Sequence, residues 1–455
     1  MKRPAGRGIT YERGAAGFDT AVLGTSFSGR DPGVRPQVLV QANDVFDVIA
    51  AVMRARRENL KIAVCSGGHS WMQNHLRDGG MLIDMARVNK VEVDAARGVA
   101  YAGPGCWSVD LDTALKKHDL FFPIAHAVDV CLGGYLLQGG FGWNSRVLGL
   151  ACENVLGIDV VTADGQLLHA SESENPDLFW AARGSGPGFF GVVVRYHLKA
   201  HPRPRVTGLA MQVFRIRHLE EVFLWADRIG PEVPRAVEFQ LLLTRKATGI
   251  FVPGIEIIAP VLTHSWKQAR EDVSFLTRGP LRRKASFRMP LMPVSTSMLS
   301  HLAAKRIFPP NMRWSVDNMW SDAPMEQLLP GIRRIADTLP PMPSHVLMLS
   351  WHPPASRQEM AFSVEGKNYL ALYGEWKHAK DDEKYANWAT AHMQSMSPFA
   401  KGIQLADENL ARRPARFMSD AHMARLDAIR ASYDPDGRFH SWRGRIDAAP
   451  SMQAG

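Results

Sequence analysis

The chain has 455 residues, 46% of them apolar and 22% charged, with a formal net charge of +9. These figures exclude a disordered or membrane-embedded chain, and the length predicts two domains or three rather than one core. The basic residues are scattered, with only short clusters such as Arg282-Arg283-Lys284 and Arg412-Arg413. No zinc-finger spacing, basic zipper or aromatic–basic signature is present, so nucleic acid is not an expected partner.

Four cysteines (Cys65, Cys106, Cys131, Cys152) lie in one third of the chain beside apolar runs, which predicts buried thiols rather than a disulfide framework. The basic N-terminus lacks an apolar stretch of signal-peptide type, and no uncharged apolar window is long enough to span a bilayer. A cytoplasmic protein without a membrane partner is expected, as a monomer or a homodimer.

In chain order, residues 1–35 are rich in Gly and Arg and predict an extended surface segment. Pro36 to Gln41 predicts a strand, and Asn43 a cap for a helix with Val45, Ile49, Val52 and Met53 on one face. The apolar run Ile62–Cys65 then completes a β–α–β unit. Met81 to Met85 and Val99 to Ala102 predict strands, with a turn at 94–98, and Ser108 to His118 a helix. Val155 to Ser171 reads as a hairpin turning at Ala163-Asp164-Gly165. Asn175-Pro176-Asp177 opens a helix ending on Gly184, and Gly191 to Leu198 is a strand.

Pro202 and Pro204 mark a change of composition. Beyond them, residues 231–245, 249–262 and 368–376 predict an antiparallel sheet. Helices over 219–229, 266–276, 325–338 and 383–396 would cover it. A last helix, Ser419 to Ser432, precedes a turn at 433–437.

Two stretches carry the chemistry. In Lys61–Trp71 an apolar strand stops at Gly67-Gly68 and His69 follows. Paired glycines let the backbone turn with positive φ and approach a ligand, and successive free N–H groups form an anion site. An isolated Gly-Gly-His is also a plain turn with an incidental histidine. The second stretch, His126–Trp143, holds the pairs Gly133-Gly134 and Gly139-Gly140 around a short apolar turn. Two such loops in one half point to a large phosphate-bearing cofactor, although neither is the GxGxxG of a nicotinamide site. Sixteen histidines are scattered without metal-ligand spacing, so no metal is expected. Metalloprotease, nucleotide-triphosphatase and serine-hydrolase motifs are missing.

Together, SGGHSW, the GG…GGFG stretch, VVTADGQLLHASESENPDLFWAARGSG and YDPDGRFHSW resemble the berberine bridge enzyme-like branch of the vanillyl-alcohol oxidase (PCMH-type) flavoproteins. The resemblance spans the first two hundred residues and the last fifty, and is weak between them. It implies an α+β protein in which residues 1–205 form an FAD-binding domain of two α/β subdomains. Residues 206–407 would be an inserted substrate domain, and 408–455 a segment returning to the FAD domain. It further implies FAD bonded covalently through His69, with the backbone of Ser66, Gly67, Gly68 and Ser70 around the pyrophosphate. The second covalent link of some relatives requires a cysteine where this chain has Ala127, so one link is expected. Cys131 stands at a glycine position of that pattern, either beside the flavin or as a small packed residue. Val130 matches the position that governs oxygen access, in its oxidase form.

The tyrosines that serve the reaction in relatives are replaced by Gly402 and Leu405, with Asp407 and Glu408 following. The proton acceptor must therefore come from elsewhere. Tyr373 is the first candidate, with Glu375 a further one on the same strand face, because both alternate with Ala371. His126 is the second, against the reading of a hydrogen-bonded loop histidine; Gln404 would orient substrate, and His352 is an outsider. The expected function is a flavin oxidase. It would take a hydride from a small alcohol, phenolic or amine-bearing substrate, aromatic or alkaloid-like, and pass the electrons to O2. A dehydrogenase or oxidative cyclase that does not use O2, or a silent flavin-binding protein, are the alternatives.

Overall fold

The computed structural model describes residues 8–445. Residues 1–7 of the expected extended segment and 446–455 of the C-terminal segment lie outside the described residues. Among the described residues three large sheets and a two-stranded one (Leu120–Phe121 with His201–Pro202) organise the chain, and the mixture of helix and strand is that of an α+β protein.

The first sheet runs in the order Ile9–Glu12, Val38–Gln41, Met81–Asp84, Ile62–Cys65. Its last three strands are parallel, as a strand–helix–strand crossover requires. The crossover helix Val45–Arg57 buries Val48, Ala51, Val52 and Ala55 on one face. Its cap is Asp44, not Asn43: the Asp44 carboxylate accepts from the backbone N–H groups of Phe46 and Asp47. The expected extended start is corrected as well. Residues 8–35 hold the strand Ile9–Glu12 and a helix Phe18–Leu23, whose Phe18 and Val22, one turn apart, are buried.

The second sheet is antiparallel, in the order Val91–Asp94, Val99–Ala102, Val192–Lys199, Val155–Val161, Leu167–Ser171. The C-terminal segment comes back to the first sheet. Ile62 donates to the carbonyl of Arg438 (2.8 Å), and the N–H of His440 to the carbonyl of Ile62 (2.9 Å).

The third sheet has seven strands, all antiparallel: Phe287–Pro293, Val206–Arg215, Gly254–Thr263, Gln240–Thr244, His345–Ser350, Asn368–Trp376, Arg313–Ser321. Strand Asn368–Trp376 is buried throughout, so both its faces are covered. Leu370 and Leu372 pack with the helices Leu219–Ile229, Met325–Thr338 and Trp388–Met396. Tyr369, Ala371 and Tyr373 face the other way, among Trp314, Trp320 and Leu349. Two expected helices are each split, into Trp266–Asp272 with Ser274–Arg278 and Asp382–Tyr385 with Trp388–Met396.

Candidate functional site

A cavity is lined by both glycine stretches, the inner face of the seven-stranded sheet, and Gln404, Ala406, Asp407 and Glu408. The strand Ile62–Cys65 delivers the first loop to it, and Ser66, Gly67, Gly68, His69 and Ser70 all line it. Gly68 has φ +64°, and a Cβ there would stand 1.9 Å from the carbonyl oxygen of Thr25. No side chain fits at that position. The second stretch is not a simple turn, because Leu132–Leu137 forms a short helix. Gly133 lies against the first loop, where a Cβ would fall 2.2 Å from Ser66 Oγ; its carbonyl accepts from the Tyr196 hydroxyl (3.0 Å). Around a Cβ on Gly134 there would be nothing within 4 Å, so this backbone is bare towards the cavity. Gly140 lines the cavity, whereas Gly139 does not and packs beneath Phe362.

His69 is held on two sides. Its ring stacks on Phe27, with centroids 4.4 Å apart, and Nε2 stands 3.2 Å from Asp129 Oδ1. Desolvation opposes the charge on Asp129, but the contact with His69 wins and its pKa is lowered. An acceptor at Nε2 favours the tautomer protonated there and leaves a lone pair on Nδ1. That Nδ1 is buried and has no hydrogen-bond partner. Val130, Ala127 and Cys131 line the cavity close by. The Cys131 thiol donates to the carbonyl of Gly105 (3.3 Å), and burial pushes its pKa up to about 12, so it is a packed thiol rather than a nucleophile.

The cavity also holds a half-buried cation. Arg77 donates through Nη2 to the carbonyl of Ser441 (2.9 Å), while its Nε is buried without a partner. Burial and neighbouring Arg443 lower its pKa to about 10, which leaves it charged at neutral pH. Bare glycine backbone, an orphaned imidazole nitrogen and a half-buried guanidinium suit a flavin dinucleotide: turn, ring and diphosphate each have a matching group.

Facing the loops, Asp407 gathers three donors. Trp71 Nε1 reaches Oδ1 (2.5 Å), while the hydroxyls of Tyr369 (2.5 Å) and Tyr373 (2.8 Å) converge on Oδ2. Burial raises the Asp407 pKa, and the three hydrogen bonds oppose that rise without cancelling it. Burial and the nearby carboxylate also push both tyrosines well above their usual range, so they stay protonated. Gln404 lines the cavity, but its side chain is engaged by protein: its Nε2 donates to the carbonyl of Gln138 (3.3 Å). Its Oε1 accepts from the N–H of Ala406 (3.0 Å), shaping the turn that presents Asp407.

His126 also lines the cavity, with Nε2 2.7 Å from Glu238 Oε1 and Trp143 edge-on at 4.3 Å. Glu238 accepts from Gln240 as well (2.5 Å). Glu375 lies on the same strand face as Tyr373 but is not among the lining residues. It stands 3.2 Å from Nδ1 of His345, whose ring stacks on Tyr373 at 4.5 Å. Burial lowers His345 to about 3 and raises Glu375 well above the usual range, so the pair is neutral. His352 has its Nε2 buried without a partner and lies outside the lining. The sequence reading passed over Asp407 as a donor-bound carboxylate, along with Tyr369, Trp71 and Arg77. Tyr369 alone had a signal, the alternation it shares with Tyr373.

Residues 36–171 match the FAD binding domain family. Over 425 residues the chain is 31% identical to the FAD-linked oxidoreductase nodO of Hypoxylon pulicicidum, spanning 91% of this chain and 92% of that one. The chain belongs to the FAD-linked oxidoreductases. Within this family it is a PCMH-type, berberine bridge enzyme-like flavoprotein, and a further relative is (R)-6-hydroxynicotine oxidase of Paenarthrobacter nicotinovorans. The two are 36% identical over 171 residues, 38% of this chain and 37% of that one. The fold is similar to that of 6-hydroxy-D-nicotine oxidase from Arthrobacter nicotinovorans, with TM-score 0.83 and 23% identity over 98% of this chain and 99% of the other. As an FAD-linked oxidoreductase the protein acts on small molecules. Among the described residues no helix is long and apolar enough to cross a membrane.

Proposed function

We propose that this FAD-linked oxidoreductase is an oxidase of an aromatic or alkaloid-like substrate carrying an amine or a hydroxyl, with its flavin bonded to His69. Residues 8–205 and 408–445 hold the cofactor in this reading, and 206–407 supply most of the wall against which substrate lies. Bound FAD supplies the two-electron acceptor for the substrate's hydride.

The observation that carries the proposal is the hydrogen bond from Tyr373 to Asp407 inside the cavity that also holds His69. Tyr373 removes the O–H or N–H proton of the substrate and passes its own to Asp407. The raised pKa of that carboxyl makes it a competent acceptor. Trp71 and Tyr369 hold the carboxylate in place during the transfer. Gln404 sets the turn that presents it.

The wall of the cavity favours the amine-bearing, aromatic end of the substrate range. Trp71, Phe308, Trp320 and Phe141 supply ring faces, while Glu238 and Asp407 supply carboxyl oxygens. A protonated amine is attracted by both. The resemblance supports electron transfer to O2 through Val130, at the position governing oxygen access. The nicotine oxidase relative supports it by its name.

The test is an anaerobic screen of aromatic amines, alcohols and phenols for bleaching of the flavin, followed by mixing of the reduced enzyme with O2. Bleaching and fast reoxidation are expected with amines foremost. Bleaching with slow reoxidation would make the protein a dehydrogenase, and no bleaching with any candidate would sink the catalytic reading.

A further inference from the structure

On the far side of the second sheet, three potential ligands stand on three adjacent strands. Asp159 lies on Val155–Val161, His169 on Leu167–Ser171 and His197 on Val192–Lys199. Asp159 is directly opposite His169 in one ladder, and His197 is opposite Gly157 in the next. Alternation turns the three away from the flavin cavity: Tyr196, beside His197, lines that cavity. The residues are 10 and 38 positions from Asp159 in the chain, so spacing alone gives no hint of the cluster.

The geometry is close to that of a metal centre. Asp159 Oδ1 stands 2.8 Å from His169 Nδ1 and 3.2 Å from His197 Nε2, and one ligand atom from each residue lies within 4.8 Å of the others. Ligands about 2.0–2.1 Å from a tetrahedral ion are separated by roughly 3.3 Å, so the two Asp159 contacts are already near that spacing and side-chain rotation would set the two imidazoles around an ion. Backbone design supports the arrangement. A Cβ on Gly157 would meet the His169 ring at 3.0 Å, so glycine lets the imidazole lie over the neighbouring strand. The His197 ring is braced edge-on by Tyr101 at 5.0 Å. Arg195, opposite Asp159 in the ladder, is itself engaged by Glu92 (3.0 Å) and by the Tyr101 ring (4.6 Å). The side chains keep 34%, 27% and 23% exposure for His169, Asp159 and His197, enough for water to complete a coordination sphere.

We infer that Asp159, His169 and His197 bind one divalent transition-metal ion of borderline softness, of which zinc is the type, and thereby tie the three strands on the outer face of the FAD-binding half. Two imidazole nitrogens and one carboxylate oxygen are the donor set such ions prefer over calcium or magnesium. The site is distinct from the flavin cavity and independent of the oxidation chemistry.

The test titrates zinc chloride into the flavin-loaded full chain, after dialysis against a chelator, and follows heat of binding. One equivalent of zinc is expected to bind, and His169→Gln, His197→Gln or Asp159→Asn should each weaken it by about 10- to 100-fold or more. A second measurement does not depend on the variants. The copper(II) form of the unaltered protein should show an electron paramagnetic resonance spectrum with coupling to two imidazole nitrogens. Absence of saturable zinc binding would overturn the inference. So would binding that all three variants retain, or a copper spectrum without nitrogen coupling.

Discussion

The Tyr373 hydroxyl lies 2.8 Å from Asp407 Oδ2, joining the inner face of the seven-stranded sheet to the turn that leaves it. Tyr369 shares that oxygen and Trp71 binds the other, so the carboxylate collects all three donors. Replacing Asp407 with Asn is therefore expected to slow anaerobic flavin reduction by about 100-fold or more, the usual scale for loss of a positioned acid–base group. Tyr373→Phe should act on the same step. Because the two act as a unit, the double variant should be little worse than the weaker single one. Additive losses in stopped-flow reduction would show that they work separately.

The pH dependence follows from the same carboxyl. A relay that ends on Asp407 needs it ionised, and burial places its pKa above the ordinary carboxylate range. The reduction rate at saturating substrate should therefore rise with pH through that elevated value and then level off. In Asp407→Asn this limb should vanish while any limb belonging to the substrate's own amine remains. An unchanged limb would assign it to another group.

His69 offers a separate handle, because the role proposed for it concerns attachment rather than turnover. In His69→Ala the flavin should still be bound by the glycine loops and Arg77, but acid precipitation should leave the colour in the supernatant instead of the pellet. Asp129→Asn should keep the nucleophilic nitrogen but weaken control of the tautomer, giving partial attachment. If the unaltered protein gives a colourless pellet, the covalent proposal fails while the fold assignment stands.

How far the chain could be read without coordinates follows from what each feature depends on. The loop at Gly67-Gly68-His69 is local chemistry, an apolar strand broken by residues with no side chain, and it is legible in ten letters. So is the alternation that puts Tyr373 and Ala371 on one face. The nature of the Gly133 stretch is harder to read. Six residues of helix containing two glycines contradict propensity, and they persist because Gly133 must lie against Ser66. Asp407 was invisible for another reason. Its partners are 34, 38 and 336 positions away, so only the tertiary fold assembles the triad of donors. Glu375 shows the converse, since it shares the face of Tyr373 yet is turned to His345 at the end of the strand.

Arg413 anchors the segment that carries Asp407. It donates through Nε (2.8 Å) and Nη2 (2.5 Å) to the two oxygens of Asp317 and again to the carbonyl of Asn318 (2.7 Å), all buried. Asn318 in turn binds the backbone of Gln404 and Asp407. Arg413→Ala would strand the Asp317 carboxylate away from water, a loss of about 3–5 kcal/mol for a buried pair. Chemical unfolding should report that cost. A rate of flavin reduction lowered in the folded fraction would show that the same contact positions Asp407.

Glu408, next to Asp407, predicts a stability that falls as pH rises. Burial lifts its pKa from 4.5 to about 7, even though the N–H of Leu410 (2.6 Å) and Arg77 favour the charged form. Between those two values the folded chain holds a proton that the unfolded chain has released, so stability declines across the window and is lowest above it. The shift corresponds to about 3 kcal/mol, of order-of-magnitude quality. Glu408→Gln removes the titration without changing the shape of the group. Denaturant unfolding of the flavin-free protein at pH 5 and pH 8 should show the native chain losing about that much more than the variant. Parallel losses in the two proteins would mean that Glu408 is already ionised in the folded state, held so by Arg77.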